Sequence, residues 1–561
     1  MRGGLRTETL TLAALVAASV LLCALPLALV ARVGMGGTFD LGPLLDALGS
    51  RAVRRALWNS LDSAAVSAAF ATALGAGLAV ALGLTDVRAK GPLVFLILLP
   101  MMIPPHVTAI AWLQALGPAS APLGWLGLAP APGATNALYG REGVIFLLSL
   151  QHAPLAFLVV RAGLRALPRE LSDAARVSGA GPWRMLAKVV APLTAPALIA
   201  AFALAFVSAL GNFGIPALLG APGRYVTAPV LMWRQLASFG PSALADMAVI
   251  ATLIGALAVG AVAVQMWLQR RAGVALIGPP QAALALRLGP ARPWAEAGLW
   301  ALVAATLVLP LSALVTTALI PTFGVPLTAE TLTFRHFHEA LFVQSVTARA
   351  FVNSTLAAGG AAAALAAMAV ALGYFLARPA GPARRAAGAA ATLAEVAYAV
   401  PGVVISVAFI LAFIRPVMGL SLYGTLTLIW LAYLAAFFAV ALKPVGAAYA
   451  ALDGALDDAA RVSGASFGLR LRRIFAPLVA PAAASGAILV FLTAYNEVTV
   501  SALLWSSGSE TIGTVIFNYE DGGSKSLAAA MATITVLATV ALMAALDALG
   551  RRAPPGVSPW R

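Results

Sequence analysis

Apolar residues in this chain come in long runs, and polar and charged residues collect in the short stretches between them. Crossing the roughly 30 Å hydrocarbon core of a bilayer takes about 20 apolar residues in a helix. Runs of that length predict spans at 9–31, 57–84, 92–115, 143–164, 193–217 and 245–268. A second set falls at 297–320, 350–376, 388–414, 419–442, 479–505 and 527–548. Twelve spans in two sets of six predict an all-α polytopic membrane protein. The first run is longer than the apolar core of a signal peptide and lacks a clear small-x-small exit, so it reads as a retained span.

Composition points the same way. Of 561 residues, 61% are hydrophobic and 10% are charged, against about 25% charged in a soluble domain. The net charge of +15 is unevenly placed. With a cytoplasmic N-terminus, Arg2, Arg6, Arg88, Lys90, Arg165, Arg169, Arg176, Arg184, Lys188, Arg378, Arg461, Arg470 and Arg472 fall inside, and far fewer cations fall outside. That bias is the positive-inside rule. It predicts a multi-pass membrane protein with both termini in the cytoplasm. Arg54-Arg55 is the discordant spot. Scattered arginines without interleaved aromatics speak against nucleic acid as a partner. The single cysteine, Cys23, excludes an intramolecular disulfide and a multi-cysteine metal site. It reads as a small buried apolar residue.

The two sets of spans are copies. Asp173-Ala174-Ala175-Arg176-Val177-Ser178-Gly179-Ala180 recurs letter for letter from Asp458 to Ala465, an offset of 285. Ala191-Pro192-Leu193 recurs as Ala476-Pro477-Leu478, and Asn59-Ser60 has its counterpart in Asn353-Ser354. Pro104 interrupts the third span as Pro401 interrupts the ninth, and the stretch from Ala209 to Leu219 aligns with Ala494 to Leu504. Apolar runs repeat through composition alone, but a charged octapeptide does not. Six spans per half is an even number, so the halves run parallel and would pack about an axis along the membrane normal. The expected organisation is a first half at 1–269, a cytoplasmic linker at 270–295 carrying Pro279-Pro280, and a second half at 296–561.

The repeated loop predicts its own structure. Pro168 suits the first turn of a helix. Leu167, Leu171, Ala174, Ala175 and Ser178 form a small apolar stripe, with Arg169, Glu170, Asp173 and Arg176 on the other faces. Gly179 permits a left-handed turn, and Pro182 opens a second, basic helix. Such a helix, outside the bilayer and without a core, is a docking element or a helix lying on the headgroups. Two identical copies favour docking.

Here the chain resembles the permeases of ABC importers. Their loop motif reads Glu-Ala-Ala, three residues, Gly, nine residues, Ile-x-Leu-Pro. The matching positions are Asp173, Ala174, Ala175, Gly179, Val189 and Pro192 in loop 168–192, then Asp458, Ala459, Ala460, Gly464, Ile474 and Pro477 in loop 453–477. Aspartate replaces glutamate, keeping the charge, and Ala191 and Ala476 replace the leucine. The resemblance covers nearly the whole chain. It implies about 12 transmembrane helices as two parallel six-helix MetI-like halves, the transmembrane domains of a type I ABC importer. It also implies that each loop, with Arg176 and Arg461, is a coupling helix seated in a groove of a cytoplasmic ATPase.

The chain has four lysines, Lys90, Lys188, Lys443 and Lys525, and none follows a glycine as a Walker A lysine must. The expectation is therefore a transport subunit with no catalytic residues, metal or cofactor of its own. Mg-ATP would be held by two copies of a separate ABC ATPase, and substrate would come from a periplasmic or lipid-tethered binding protein. Membrane lipid is the remaining partner.

Ionisable groups inside spans mark pathways or partners. Glu497, beside Asn496, is the main one, and its repeat mate is Asn212. The two would face each other across the pseudo-twofold axis, as a polar gate or as interhelical hydrogen bonds. Glu395 is a weaker candidate. His106 and His152 read as satisfied structural histidines, and His336-x-His338 with Glu339 as a solvated outer loop rather than a metal cluster. Fused double permeases resemble ferric-iron importers, and the segment from Ala502 to Thr511 with Phe517 to Gly523 looks like the outer loop of iron(III) permeases. Thiamine, polyamine and phosphonate permeases stay open as alternatives. An ion-coupled secondary transporter using Glu497, or a non-transporting scaffold, are the readings from other classes.

Overall fold

The computed structural model describes residues 2–550 apart from 132, 166, 168–169, 171–173, 176, 238–241, 273–285 and 417–418. Among the described residues, nine helices are long and apolar enough to cross a membrane, and three bent pairs complete a set of twelve. In the first half these are α1 (Thr7–Gly34), α2 (Arg51–Leu84), α3 (Lys90–Met102 with Pro105–Ala115), α4 (Arg141–Arg165), α5 (Pro182–Leu193 with Ala195–Leu210) and α6 (Ala243–Ala272). In the second they are α7 (Gly289–Ala318), α8 (Ser345–Leu376), α9 (Pro382–Ala399 with Gly402–Phe413), α10 (Leu426–Ala450), α11 (Phe467–Tyr495) and α12 (Lys525–Leu546). Every span expected from the apolar runs is matched.

Proline explains the irregular helices. It lacks an N–H and crowds the carbonyl four residues back. At Pro104 and Pro401 the chain breaks outright, bending α3 by 103° and α9 by 112°. Elsewhere a π-helical turn absorbs the misfit. Val20–Ala24 and Ala304–Val308 precede Pro26 and Pro310, and Leu186–Val190 and Leu471–Phe475 precede Pro192 and Pro477. Each defect is thus duplicated with its proline. The halves also differ: α5 bends by 68° whereas α11 continues as one helix, and among the described residues the π turns Pro216–Gly220 and Glu339–Val343 each occur in one half only.

Small residues let the helices of each half pack closely. One face of α2 buries Ser60, Ala64, Ser67, Ala71, Gly75 and Leu78. Gly75 lies so close to α4 that a Cβ there would come within 2.6 Å of the Phe157 backbone nitrogen. The repeated Asn-Ser pair pins the loop that precedes the last span of each half. Asn59 donates to the Val226 carbonyl at 2.9 Å, and Ser60 accepts from the Ala228 N–H at 2.8 Å. Asn353 donates to the Glu510 carbonyl at 2.9 Å, and Ser354 accepts from the Ile512 N–H at 3.0 Å.

The leading helices are exchanged. Helix α1 packs on α6 of its own half and on α9 of the other, while α7 packs on α12 and on α3. The linker joins this exchange. Leu286 bridges Thr85, and the Leu288 N–H donates to Asp86 at 3.0 Å. The discordant Arg54 serves as a local cap, donating to the Leu48 and Gly49 carbonyls at 2.8 and 2.9 Å at the end of the short helix Gly42–Gly49. Favourable cations at helix C-termini account for it.

Candidate functional site

The described residues of the repeated octapeptide fold alike in both places. Helix Ala455–Val462 ends where Gly464 takes φ +75°, and Gly179 takes the same angle. The Ala465 N–H reaches back to the Ala460 carbonyl at 3.0 Å, and the Gly464 N–H to Arg461 at 2.9 Å. This is a Schellman closure, for which a glycine at the left-handed position is the usual residue. In the first copy the Ala180 N–H reaches the Ala175 carbonyl at 2.9 Å. Ser178 and Ser463 each donate a hydroxyl to the carbonyl four residues back, Ala174 and Ala459, at 2.8 and 2.9 Å. Asp173 and Arg176 lie outside the described residues. Asp458, Ala459 and Arg461 are exposed, and Ala460 faces inward. The tips present apolar surface: Val177 and Val462 are each 91% exposed.

Beneath the second loop lies a cluster that the sequence did not announce. Arg470 is buried and bridges two carboxylates, Asp457 at 2.9 Å and Glu8 of α1 at 3.1 Å. Asp457 also accepts from Arg461 at 2.9 Å and from the Tyr374 hydroxyl at 3.0 Å. Glu8 pairs in addition with Arg378, at the turn between α8 and α9. Burial pushes the Asp457 carboxyl above its ordinary range, against the pull of Arg470 and Tyr374. The signal that could have found this cluster is where the repeat fails: at the 285 offset, Asp457 matches Ser172 and Arg470 matches Met185.

The membrane-embedded site is a cavity of about 790 Å³ between the halves. Gln265, Glu395 and Lys443 line it toward the end that carries the repeated loops, and Asn212, Pro401 and Glu497 close its inner end. Glu395, the weaker candidate, pairs with Lys443 at 3.3 Å, and both line this cavity. Asn212 and Glu497 share the cavity, and both spend acceptor capacity on their own backbone. Asn212 accepts from the Ile215 N–H at 3.1 Å. Glu497 accepts from the Val500 and Ser501 N–H groups at 2.6 and 3.1 Å. Each caps the irregular stretch that follows its span.

The two halves interlock at the helix breaks. Asn496 donates to the Met102 carbonyl at 2.9 Å, mending the broken α3 of the other half. Its repeat mate, Gly211, abuts Pro401 at the break in α9, where a Cβ would lie 2.7 Å from the proline ring. Past this point Phe213, Trp233 and Phe517 from both halves cluster with ring centroids 5.2 to 5.8 Å apart. They seal the cavity away from the repeated loops.

The histidines divide. His152 is satisfied, with contacts at 2.7 Å to the Leu148 carbonyl and 2.8 Å to the Ser208 hydroxyl. His106 is fully buried, and neither ring nitrogen has a partner, contrary to expectation. His336 is buried against the Pro321 carbonyl rather than solvated, while His338 packs on Phe342. Cys23 is buried, as expected.

The fold and these two features define a transport permease built from a duplicated helical unit. The family model for the binding-protein-dependent transport system inner membrane component matches residues 71–273 and 369–558. The chain belongs to that family, with the domain present twice. A probable ABC transporter permease, y4fN of Sinorhizobium fredii, is 25% identical over 83% of this chain and 82% of its own length. The ferric transport system permease FbpB of Actinobacillus pleuropneumoniae is 23% identical over 91% of this chain and 73% of its own. A probable molybdenum permease of Haloferax volcanii is 31% identical over 37% of this chain and 73% of its own. Among solved structures, a bacterial ABC transporter that imports alginate aligns at 20% identity over 41% of this chain and 83% of its own, with a TM-score of 0.34.

Proposed function

We propose that this chain is the complete transmembrane pathway of an ABC importer in the bacterial inner membrane, with ferric iron as its cargo. The observation that carries the importer reading is the octapeptide kept identical in both halves, with the same glycine turn and an exposed valine at each tip. In this reading both loops face the cytoplasm and each docks one ABC ATPase subunit. Those subunits hold Mg-ATP, and a periplasmic or lipid-tethered binding protein delivers substrate to the opposite face. Asp173, Ala174, Ala175, Arg176 and Gly179 form one docking surface; Asp458, Ala459, Ala460, Arg461 and Gly464 form the other. The cavity ending at Asn212 and Glu497 is the pathway; Asn496, expected to share it, is not among its lining residues and is turned to the Met102 carbonyl.

Iron is supported by the length of the match. Relatives that align along most of the chain include two ferric transport permeases, at 91% and 85% coverage. The molybdenum permeases align over only 37% or less. Uptake of radiolabelled ferric iron by cells expressing the chain, its ATPase and its binding protein tests the cargo; uptake of molybdate in preference to iron overturns it. Recovery of the ATPase with the permease tests docking. Replacing the exposed Ala174 and Ala459, one on each loop, with bulky charged residues abolishes recovery if the loops are sockets, and undiminished recovery refutes them.

A further inference from the structure

The two loops share their tips but not their foundations. Under the second loop, Arg470 is 5% exposed at its side chain and Glu8 10%. A buried arginine joined to two carboxylates is costly to desolvate and contributes little net stability over an apolar substitute. The first half makes the apolar choice: Met185 takes the place of Arg470 and is itself buried. The charged version must therefore supply something other than stability. What it supplies is a connection. Glu8 belongs to the leading helix of the first half, whereas Asp457, Arg461 and Arg470 belong to the loop of the second. Planar guanidinium geometry fixes the angle between the groups it joins. The opposite crossing uses reversed charge. On α7, Arg292 lies 3.8 Å from Asp86 of the first half, and Glu296 accepts from the Arg88 N–H at 2.8 Å. That second clasp holds the loop between α2 and α3 and reaches no described residue of the repeated octapeptides.

We propose that Glu8 is a positioning residue for the second loop. Through Arg470 and Asp457 it fastens helix Ala455–Val462 to α1, so that displacement of that loop moves the first half of the chain as well as the second. The inference rests on the docking function proposed above for the loops. It makes the two sockets mechanically unequal. A push on the second loop is shared between halves through Glu8, a route that the buried Met185 does not offer the first.

Two measurements on the full chain in lipid nanodiscs test this, in a Cys23→Ala background. Spin labels at Leu10→Cys on α1 and Val462→Cys on the loop, both exposed positions, report the distance between the elements. Glu8→Gln or Arg470→Met broadens the distribution, Arg470→Lys restores it in part, and the Glu8→Gln/Arg470→Met double variant is no broader than either single one. An unchanged distribution overturns the proposal. The second measurement uses the complex with its ATPase and a label at Val207→Cys, in the first half and lining the cavity. Arg470→Met lowers the ATP-driven change in labelling per ATP hydrolysed by about fivefold or more. Broadening without that loss leaves a staple with no transmitting role and also overturns it. Failure of the wild-type chain to retain the ATPase strikes the docking reading instead, and the spin-label result still stands or falls by itself.

Discussion

Gly211 offers the sharpest test of the gate. Its backbone is in an ordinary right-handed conformation (φ −88°), so alanine meets no conformational obstacle there. The obstacle is Pro401: a Cβ would sit 2.7, 3.0 and 3.3 Å from three of its carbons. Those atoms belong to a ring and a backbone at a helix break, so they cannot rotate away. Overpacking of this kind costs about 1–3 kcal/mol. Gly211 and Pro401 come from different halves, and in the importer reading proposed above their contact forms the shut gate and parts when it opens. The cost therefore falls on the closed state and shifts the closed-to-open ratio by about 5- to 150-fold. Thr493 lines the cavity, so a Thr493→Cys label in a Cys23→Ala background reads access from the side opposite the repeated loops. Gly211→Ala raises the rate of labelling by an impermeant maleimide from that side by a factor in that range. Gly260→Ala, at a position with open space around it, leaves the rate unchanged. A folded Gly211→Ala protein that labels like wild type would refute the assignment of this contact as the gate.

Three further outcomes follow from the geometry. Asn353→Ala removes donors to both the Gly508 and Glu510 carbonyls, whereas Asn59→Ala removes one to Val226; at about 1 kcal/mol per bond, thermal unfolding in detergent shows the larger loss for Asn353→Ala. Gly464→Ala forces a Cβ into φ +75° with nothing nearby to clash, so the loop loses about 1 kcal/mol through its backbone alone, ATPase recovery falls, and Gly464→Asn is milder. Burial raises the Glu510 carboxyl, but the ion pair with Arg349 and the Gly508 N–H outweigh it and hold the carboxyl below its ordinary value. A depressed carboxylate stabilises above its unfolded pKa and loses that contribution as pH falls through the folded one. Protection factors of the 505–511 amides, corrected for intrinsic exchange, are therefore steady near neutrality and fall below about pH 4, and Glu510→Gln flattens the profile.

Much of this fold was legible because a bilayer makes length and hydropathy decisive: twelve apolar runs could become little else. The breaks at Pro104 and Pro401 were legible because proline's missing N–H acts locally. Partner choice was not. Nothing in the pattern of α1 tells that it lies against α9 of the other half, since any apolar face satisfies any other in lipid. Glu497 shows a second limit. An ionisable residue in an apolar run looks the same whether it lines a cavity or caps its own backbone, and here one side chain does both.

The charges beneath the second loop were hidden for a different reason. Arg470 reads as one more cation in an arginine-rich loop, and only comparison with Met185 marks it as unusual. Duplication gives each half an internal control: where the copies agree, the constraint is shared, and where they differ, each answers to its own neighbours. On the docking reading proposed above, the tips agree because both meet the same kind of partner. The foundations differ because the chain has one N-terminal helix, whose Glu8 reaches Arg470, and the first copy holds buried Met185 at the matching position. A fused permease need not drive its halves equally. The departure of Asp457 and Arg470 from Ser172 and Met185 locates the inequality below the sockets and away from the cavity.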